Sequence, residues 1–276
     1  MPKVTLQKIG ADVEGFIIGN TGKAIPSVGI FPGTKDKPFA IIDEGYYIQE
    51  DNVMPEFNIP ATSHATEFAY SIQHVKKWVN HQLAVKNMGN YLTIGSMTFS
   101  PEALASDQAK RFGCEPDYCA WTRSVNRVPS ENERPATLRT AGGHIHVSYS
   151  IDNVHRAEEH PDYLDVMEQL VKLQDLYLGV PSVLMDSDTE RRKMYGKAGA
   201  FRPKHYGHEY RVLSSFWADS QQKSQWAFKQ TQRSLDAFNN GLKISEKEGA
   251  AIQKAINTSS FPLIKHLVKH FSLELE

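Results

Sequence analysis

This chain has few cysteines, no membrane-spanning apolar run and no excess of either charge. Each of these features excludes some classes of protein. The 276 residues include only two cysteines, Cys114 and Cys119, which form no disulfide framework and fit a reducing cytoplasm. The formal net charge of −1 gives no overall electrostatic case for a nucleic-acid partner. No apolar run approaches the roughly 20 residues that span a bilayer, and no signal-peptide core follows Met1. We therefore expect a cytoplasmic protein with neither a membrane nor a nucleic acid as partner.

Familiar nucleotide-binding and nucleophile motifs are absent as well. Residues 19–24 (Gly-Asn-Thr-Gly-Lys-Ala) faintly resemble a P-loop, but the first glycine is missing and Ala24 stands where a hydroxyl group should bind Mg²⁺. The segment is predicted to be a hairpin turn. The chain has neither a glycine-rich dinucleotide fingerprint nor a G-x-S-x-G elbow. Nucleotide binding therefore requires another architecture.

Hydrophobic patterning predicts both strands and helices. Apolar runs between turn signals predict strands, and apolar residues at helical spacing predict helices. The early connections are short, which favours antiparallel pairing. Strands are predicted over residues 13–18, 39–42, 46–49, 53–59, 91–96, 138–148 and 209–213. Helices are predicted over residues 63–89, 161–178, 222–242, 246–256 and 263–271, with a short helix from Pro101 and a long functional loop over residues 111–135.

The order of these elements predicts the architecture. No linker or internal repeat divides the chain, and polar strands alternate with helices over most of its length. We therefore predict a single domain over residues 1–276, with a C-terminal helical part at about residues 220–276. Its fold class is α+β, with an antiparallel sheet, helices packed on one face of the sheet and an open polar face for an active site.

The most informative pattern is a pair of polar residues separated by one apolar residue, which occurs in four short segments. Alternate residues of a strand point to the same face, so each pair would lie on one face of a sheet while the apolar residue points to the core. Carboxylates and imidazoles are unusual on an exposed sheet face, and together they are typical of a metal- and phosphate-binding site. The pairs are Asp12 and Glu14, Glu56 and Asn58, His144 and His146, and Glu209 and Arg211.

The acids and histidines of these pairs are also compatible with interpretations that involve no ligand. A single carboxylate on a strand is usually solvated, but several acids beside two histidines favour a site for a hard divalent cation. Two histidines at this spacing are compatible with metal ligation, phosphate binding or acid–base chemistry. They are also compatible with two half-buried structural side chains.

Most basic candidates cluster around Gly196 and Gly199, where a basic loop is predicted over residues 191–206. A basic loop that contains glycines suits phosphoryl transfer, in which developing negative charge is neutralised. The alternative is a solvated charged loop. The basic candidates are Lys35, Arg139, Arg191, Arg192, Lys197, Arg202, Lys204 and Arg211.

The spacing of Cys114 and Cys119 allows a structural zinc site, but no second pair of ligands lies nearby in the sequence. Two partly buried free thiols are the better interpretation.

Six segments, taken in order, resemble one family. The segments are residues 10–14 (Gly-Ala-Asp-Val-Glu), 51–60 (Asp-Asn-Val-Met-Pro-Glu-Phe-Asn-Ile-Pro), 112–117 (Phe-Gly-Cys-Glu-Pro-Asp), 142–146 (Gly-Gly-His-Ile-His), 195–199 (Tyr-Gly-Lys-Ala-Gly) and 206–211 (Tyr-Gly-His-Glu-Tyr-Arg). They resemble the phage-type COOH-NH2 ligases (phiEco32-like, type 2) of the glutamine synthetase and glutamate-cysteine ligase-like superfamily. The resemblance extends over residues 10–217.

The resemblance implies a glutamine synthetase-like catalytic fold and an ATP-dependent carboxylate-amine ligase. In such enzymes the γ-phosphate of ATP passes to a carboxylate, and an amine then displaces phosphate from the acyl phosphate to form an amide. Two or three Mg²⁺ or Mn²⁺ ions bridge the carboxylates and phosphates. A phage origin would place the protein in the host cytoplasm.

The resemblance also implies roles for individual residues. Asp12 stands where the better-known enzymes have glutamate, so an ion there would lie closer to the backbone. The implied metal ligands are Asp12, Glu14, Glu56, His144 and Glu209. The implied phosphate, nucleotide or substrate-carboxylate contacts are Lys35, His146, Lys197, Arg202 and Arg211. Catalytic roles are implied for Glu14, Glu56 and Arg211, with Asn58 on the same face.

Two alternative functions keep the same scaffold. One is a metal-dependent phosphotransferase like the guanidino kinases, which share a related sheet. The other is a non-catalytic phage structural or regulatory protein on a ligase scaffold that has lost its activity. Loss of activity should have removed the metal-binding acids first, and they are present in the sequence. The sequence names neither the carboxylate nor the amine, and it does not indicate the oligomeric state.

Overall fold

A computed structural model describes residues 2–110, 117–127, 130 and 133–275. The strands are β1 (Val4–Glu14), β2 (Phe16–Ile18), β3 (Ala24–Ile25), β4 (Phe39–Ala40), β5 (Tyr47–Asp51), β6 (Met54–Thr62), β7 (Asn90–Leu92), β8 (Ser96–Thr98), β9 (Tyr118–Cys119), β10 (Ser124–Val125), β11 (Leu138–Thr140), β12 (Gly143–Ile151), β13 (Ala200–Lys204) and β14 (Gly207–Tyr210). The α-helices are α1 (Ala65–Val85), α2 (Asp107–Lys110), α3 (Tyr163–Gln174), α4 (Val180–Met185), α5 (Glu190–Met194), α6 (Gln221–Asn239), α7 (Glu246–Thr258) and α8 (Phe261–Phe271).

A large antiparallel sheet dominates the described part of the chain and confirms the α+β class. Nine of the described strands form this sheet in the order β10-β9-β13-β14-β12-β1-β6-β5-β4. Each of the described pairings in it is antiparallel. Two small sheets, β11-β8 and β3-β2-β7, complete the β structure described. The four strand segments that carry the polar pairs are therefore neighbours, β14-β12-β1-β6.

The apolar residues between the polar pairs lie in the core. Val13, Phe57, Ile145 and Tyr210 are fully buried and belong to one hydrophobic cluster. Helices α1, α3 and α6 contact β6, β14 and β1, respectively. Burial of each large apolar side chain contributes about 2 kcal/mol to folding, so this cluster fixes which face of each strand is turned inward.

The long helices follow the predicted apolar spacing. In α1 the buried side chains Phe68, Ile72, Val75, Val79 and Leu83 recur every three or four residues, which gives one face for packing on the sheet. The three C-terminal helices lie close to their predicted bounds. Helix α7 begins with a capping box, in which the Ser245 hydroxyl accepts from the backbone N–H of Glu248 and the Glu248 carboxylate accepts from that of Ser245.

Several strands predicted as single units are divided. The predicted strand 13–18 is divided at Gly15, since β1 ends at Glu14 and β2 pairs in another sheet. Gly15 lies against the Tyr91 ring, where no side chain fits. The predicted strand 138–148 is divided into β11 and β12 at the bend before Gly143. The predicted strand 91–96 is likewise two short strands, β7 and β8. In each case the two parts pair in different sheets, which a local hydrophobic pattern does not reveal.

Other predicted boundaries also change. The described part of the predicted loop 111–135 contains β9 and β10, and residues 111–116, with Cys114, lie outside the described part. The predicted basic loop 191–206 is partly helix α5 and partly strand β13. The predicted helix 161–178 begins at Tyr163 and passes, after α3, into a π-helical segment, Asp175–Gly179, and then α4. No helix in the described ranges combines the length and apolarity needed to cross a membrane.

Gly207 permits the close pairing of β14 with β12, and its replacement should be costly. Its φ is 148°, and a Cβ atom there would overlap the carbonyl oxygen of Val147 and lie 2.8 Å from the Tyr149 ring. We expect Gly207→Ala to lower the free energy of unfolding by about 3 kcal/mol, measured by urea denaturation. Gly22→Ala is the control: its φ is 76°, but no atom lies within 4 Å of the added Cβ, so the loss should be about 1 kcal/mol. Equal losses would contradict the argument from close approach.

Candidate active site

The antiparallel register places the four polar pairs side by side. Asp12 on β1 lies opposite His144 on β12 and opposite Asn58 on β6. Glu14 lies opposite Glu56, and His146 lies opposite Glu209. The predicted convergence of these residues on one sheet is therefore confirmed.

A cavity of about 240 Å³ lies over this part of the sheet. Its lining includes eight of the predicted site residues, Asp12, Glu14, Lys35, Glu56, His144, Arg202, Glu209 and Arg211. Residues from other elements complete it: Gln49, Asp51, Asn52, Met54, Asn58, Asp117, Arg134, Leu138, Arg139, Thr140, Arg191, Met194 and Tyr195. Charged side chains from distant parts of the chain therefore line a single pocket.

Glu14, Asp51 and Glu56 form the acid cluster, in which one carboxylate oxygen from each residue lies within 4.8 Å of the others. Burial, and then the charge of Asp51, raises the pKa of Glu14 to about 7. Burial, and then the charges of Asp12 and Glu14, holds the pKa of Glu56 well above its usual range. Oxygen ligands at this spacing suit a hard divalent cation, which would relieve the repulsion.

Asp51 was not among the predicted site residues, and a tight hairpin brings it to the pocket. Strands β5 and β6 pair Asp51 with Met54 and Gln49 with Glu56, and Asn52 takes a left-handed backbone conformation with φ 60° at the turn. The Gln49 side chain donates a 2.8 Å hydrogen bond to Glu56. Gln49 and Asp51 have the same spacing as the four pairs, but the residue between them is Glu50 and not an apolar one, so the pattern does not identify Asp51.

Asp12, His146 and Glu209 form the histidine cluster, whose three ligand atoms also lie within 4.8 Å of one another. His146 Nε2 is 2.8 Å from an Asp12 carboxylate oxygen, and its Nδ1 is 2.5 Å from the Tyr206 hydroxyl. Burial opposes protonation of His146, but the charge and hydrogen bond of Asp12 prevail and raise its pKa. The Asn58 side-chain amide donates a hydrogen bond to the other oxygen of Asp12.

The two histidines lie in different surroundings. His144 lines the pocket, whereas His146 does not belong to its lining. His144 Nδ1 is 3.6 Å from Glu209 and 3.3 Å from Arg211, and burial and then Arg211 hold its pKa well below the usual range. The resemblance implied a metal at His144 and phosphate at His146, but in the structure His146 is the imidazole that shares a cluster with two carboxylates.

Glu209 is surrounded by cations. The Arg211 guanidinium donates to one of its oxygens, and the other lies 3.1 Å from Lys204 Nζ and 3.4 Å from Arg202 Nη1. Burial would raise its pKa, but Arg211 and then His144 hold it below the usual range. The positive charges of Arg202, Lys204 and Arg211 thus lie around the Glu209 carboxylate of the histidine cluster.

Asp117 is a further pocket residue without a predicted role. Its carboxylate lies 2.6 Å from Arg211 Nε and 3.9 Å from Arg202. Burial raises its pKa, and Arg211 opposes that shift. The rest of its motif, residues 112–116, lies outside the described part of the chain. Arg211 therefore lies between two carboxylates, those of Asp117 and Glu209.

Some of the predicted basic candidates donate hydrogen bonds to carbonyl oxygens and side chains of the protein. Arg191 donates to the carbonyl oxygens of Val212 and Arg211 at 2.8 and 3.0 Å. Arg192 donates to the carbonyl oxygen of Asp188 and to Ser182, and it pairs with Asp186. Arg139 donates to the carbonyl oxygens of Ala136, Leu138 and Ala109.

The two predicted lysine contacts differ in position. Lys35 lines the pocket, and its Nζ lies 4.0 Å from Asp51. Lys197 is exposed and lines a neighbouring cleft with Arg127 and Lys193. The structure therefore does not bring Lys197 together with the other site residues.

Cys119 is buried, and its thiol lies 3.6 Å from the carbonyl oxygen of Ala198.

Comparison with known proteins shows a similarity over part of the chain. Residues 134–255 match the family model of phage phiEco32-like COOH.NH2 ligases, type 2. This is the family that the sequence motifs resemble, and the match includes both histidines, Glu209 and Arg211. No curated protein matches the chain. The family supports an enzyme that joins a carboxylate to an amine.

Repulsion within the acid cluster predicts a pH-dependent stability difference. The pKa of Glu14 rises from 4.5 to about 7 on folding, so the unfolded chain releases this proton at a lower pH than the native protein does. Native stability therefore falls as the pH rises through this window. We expect Glu56→Gln, which removes one of the charges, to raise the Tm of the metal-free protein at pH 8 and to raise it much less at pH 5.

The measurement is thermal unfolding in EDTA at both pH values. Glu44→Gln is the control, because Glu44 is exposed and is not part of the pocket lining. A Tm change for Glu56→Gln that is the same at pH 5 and pH 8 would show that charge repulsion between these carboxylates is not the cause.

Proposed function

We propose that the protein is an ATP- and Mg²⁺-dependent carboxylate-amine ligase with a glutamine synthetase-like catalytic fold. The observation that carries this proposal is the charge arrangement of one pocket. Two clusters of oxygen and imidazole ligands border it, and Arg202, Lys204 and Arg211 form ion pairs with Glu209 of the histidine cluster. Such a combination suits a nucleoside triphosphate with its divalent cations, since both the metal ions and the phosphates require opposite charges.

The residues present fit divalent cations. Each cluster offers at least two carboxylates, and the acid cluster holds buried carboxylates whose pKa values are raised, which is the chemistry of a donor set that a cation would stabilise. Asp12, His146 and Glu209 would hold one ion, and Glu14, Asp51 and Glu56 would hold another. When bound, such ions would draw negative charge from the phosphate oxygens and so favour phosphoryl transfer.

The reaction proceeds in two displacements. A carboxylate oxygen of the first substrate attacks the γ-phosphorus of ATP, the bond to the β–γ bridging oxygen breaks, and ADP leaves. The amine nitrogen then attacks the acyl carbon, phosphate leaves with the former carboxylate oxygen, and the nitrogen gives up its proton. Arg202 and Arg211 would neutralise charge on the transferring phosphoryl group. Lys35, beside Asp51, is a further candidate contact.

The proposal predicts a specific isotope transfer. The protein would be incubated with Mg²⁺-ATP and panels of amino acids, polyamines and peptides, and ADP, phosphate and products would be analysed by mass spectrometry. With an ¹⁸O-labelled carboxylate, we expect one ¹⁸O atom in the released phosphate for each amide formed. We expect Glu14→Gln and Glu209→Gln to lower the rate on the order of a hundredfold, whereas Glu44→Gln should leave it unchanged.

Other outcomes identify the alternatives. A stable phosphorylated acceptor without amide would identify a phosphotransferase. AMP and pyrophosphate as products would contradict the acyl phosphate. Absence of turnover across the panels, together with no change in Tm on addition of Mg²⁺-ATP, would favour a non-catalytic phage protein.

Tyr206 provides a test of the histidine cluster that does not depend on turnover. Its hydroxyl contacts Nδ1 of His146, and an outer hydrogen bond of this kind fixes the tautomer and orientation of a metal-binding imidazole. We expect Tyr206→Phe to weaken Mn²⁺ binding at this cluster about tenfold or more. Binding would be measured by the electron paramagnetic resonance signal of free Mn²⁺.

Two variants control this measurement. Tyr70→Phe removes the hydroxyl of an exposed tyrosine whose ring is stacked on His74, and it should leave Mn²⁺ binding unchanged. Asp51→Asn should weaken the binding step that Tyr206→Phe leaves intact. An effect of Asp51→Asn and Tyr206→Phe on the same step would contradict the assignment of two separate clusters.

A further inference from the structure

Strand β14 is polar on both faces. Glu209 faces the pocket, whereas His208 and Tyr210 point to the opposite, buried face. Each of these two residues meets a polar side chain from the end of α3. His208 Nε2 is 2.8 Å from the Gln174 side-chain oxygen, and the Tyr210 hydroxyl donates a 2.9 Å hydrogen bond to Asp175.

Asp175 accepts hydrogen bonds from three segments that build the pocket. One donor is the Tyr210 hydroxyl on β14, and another is the Trp121 indole N–H at 2.6 Å, shortly after pocket residue Asp117. The backbone N–H of Gly199, which follows Tyr195 in the basic loop, also donates to it. Strand β9 and the basic loop are joined directly as well, since the Ala120 N–H donates to the Gly199 carbonyl oxygen at 2.9 Å.

Burial of the Asp175 carboxylate carries a free-energy cost that a purely structural role does not explain. Its side chain has 0% exposure, and burial raises its pKa to about 7 despite the hydrogen bonds from Trp121 and Tyr210. A buried carboxylate generally stabilises a fold no better than a well-packed apolar side chain. What it adds is direction, because three donors must converge on two oxygens. Asp175 also begins a π-helical turn, a local departure that is frequent near functional sites.

From this geometry we infer that Asp175 and Tyr210 are positioning residues, which orient β14 from behind the sheet and so place Glu209 and Arg211 in the pocket. Tyr210 lies between these two residues in the sequence, so a change in its orientation changes theirs. The inference rests on the proposed function for the role of Glu209 and Arg211. Neither Asp175 nor Tyr210 lines the pocket, so the pair acts through the strand.

A matched pair of tyrosines provides the test. Tyr149 and Tyr210 are both fully buried, on the neighbouring strands β12 and β14, and each phenol contacts one polar partner behind the sheet. The Tyr149 hydroxyl is 3.3 Å from His208 Nδ1. Tyr149→Phe and Tyr210→Phe therefore remove the same atom from similar surroundings, but only Tyr210 contacts Asp175.

The first measurement is Mn²⁺ binding to the full chain. We expect Tyr210→Phe and Asp175→Asn to weaken binding at the histidine cluster about tenfold and to leave the acid cluster unchanged. Tyr149→Phe should leave both binding steps unchanged, although both tyrosine variants lower the Tm by a few degrees. If Asp175→Asn fails to fold, Tyr210→Phe alone decides the result.

The second measurement needs neither metal nor turnover. In the metal-free protein, the imidazole NMR signals of His144 and His146 should shift in Tyr210→Phe, since both rings lie beside Glu209. In Tyr149→Phe the shift should be confined to His208. Unchanged signals of His144 and His146 in Tyr210→Phe, with Mn²⁺ binding equal to that of the wild type, would overturn the inference. A wild-type protein that binds no Mn²⁺ would instead refute the metal sites of the proposed function.

Discussion

The pocket depends on the register of β1 with its two neighbours. Asp12 lies between His144 and Asn58, and Glu14 lies beside Glu56. A slip of one residue would turn every polar side chain of β1 toward the core. That slip is prevented from the other face, where Val13, Phe57 and Ile145 are completely buried and their exposure would cost several kcal/mol in total. Apolar contacts that never touch a ligand therefore fix the distances between the carboxylates.

The same pocket drives the pKa values of its acids in opposite directions. Glu14 and Glu56 lie close to Asp51 and to each other, so burial and repulsion raise their pKa values. Glu209 is also buried, but Arg211 and His144 lower its pKa. Neighbouring charges decide the direction once burial is similar. Repulsion in the acid cluster therefore favours an added cation, whereas the Glu209 carboxylate already lies among positively charged side chains.

The alternation of strand residues was sufficient to predict which polar pairs meet on one sheet, because it depends only on the geometry of a single strand. It could not separate the roles of His144 and His146, since these depend on the residues opposite them in other strands. Nor could it show that Arg191 and Arg192 bind backbone carbonyls and a buried acid, because both arginines lie outside the strands and their contacts depend on how the chain folds back. The breaks at Gly15 and before Gly143 were missed for the same reason. In each case a tertiary contact outweighs a local pattern.

Strand β14 shows why a sheet with such a site needs more than a hydrophobic core. Burial of apolar area stabilises a strand without favouring one fine orientation, since the hydrophobic effect is not directional. In β14, Glu209 faces the pocket and His208 the other side, while Tyr210 packs its ring in the hydrophobic core and its hydroxyl requires a polar partner there. Hydrogen bonds to Gln174 and Asp175 supply the missing direction. The buried polar groups behind the sheet are therefore as necessary to the geometry of the pocket as the charged groups that line it.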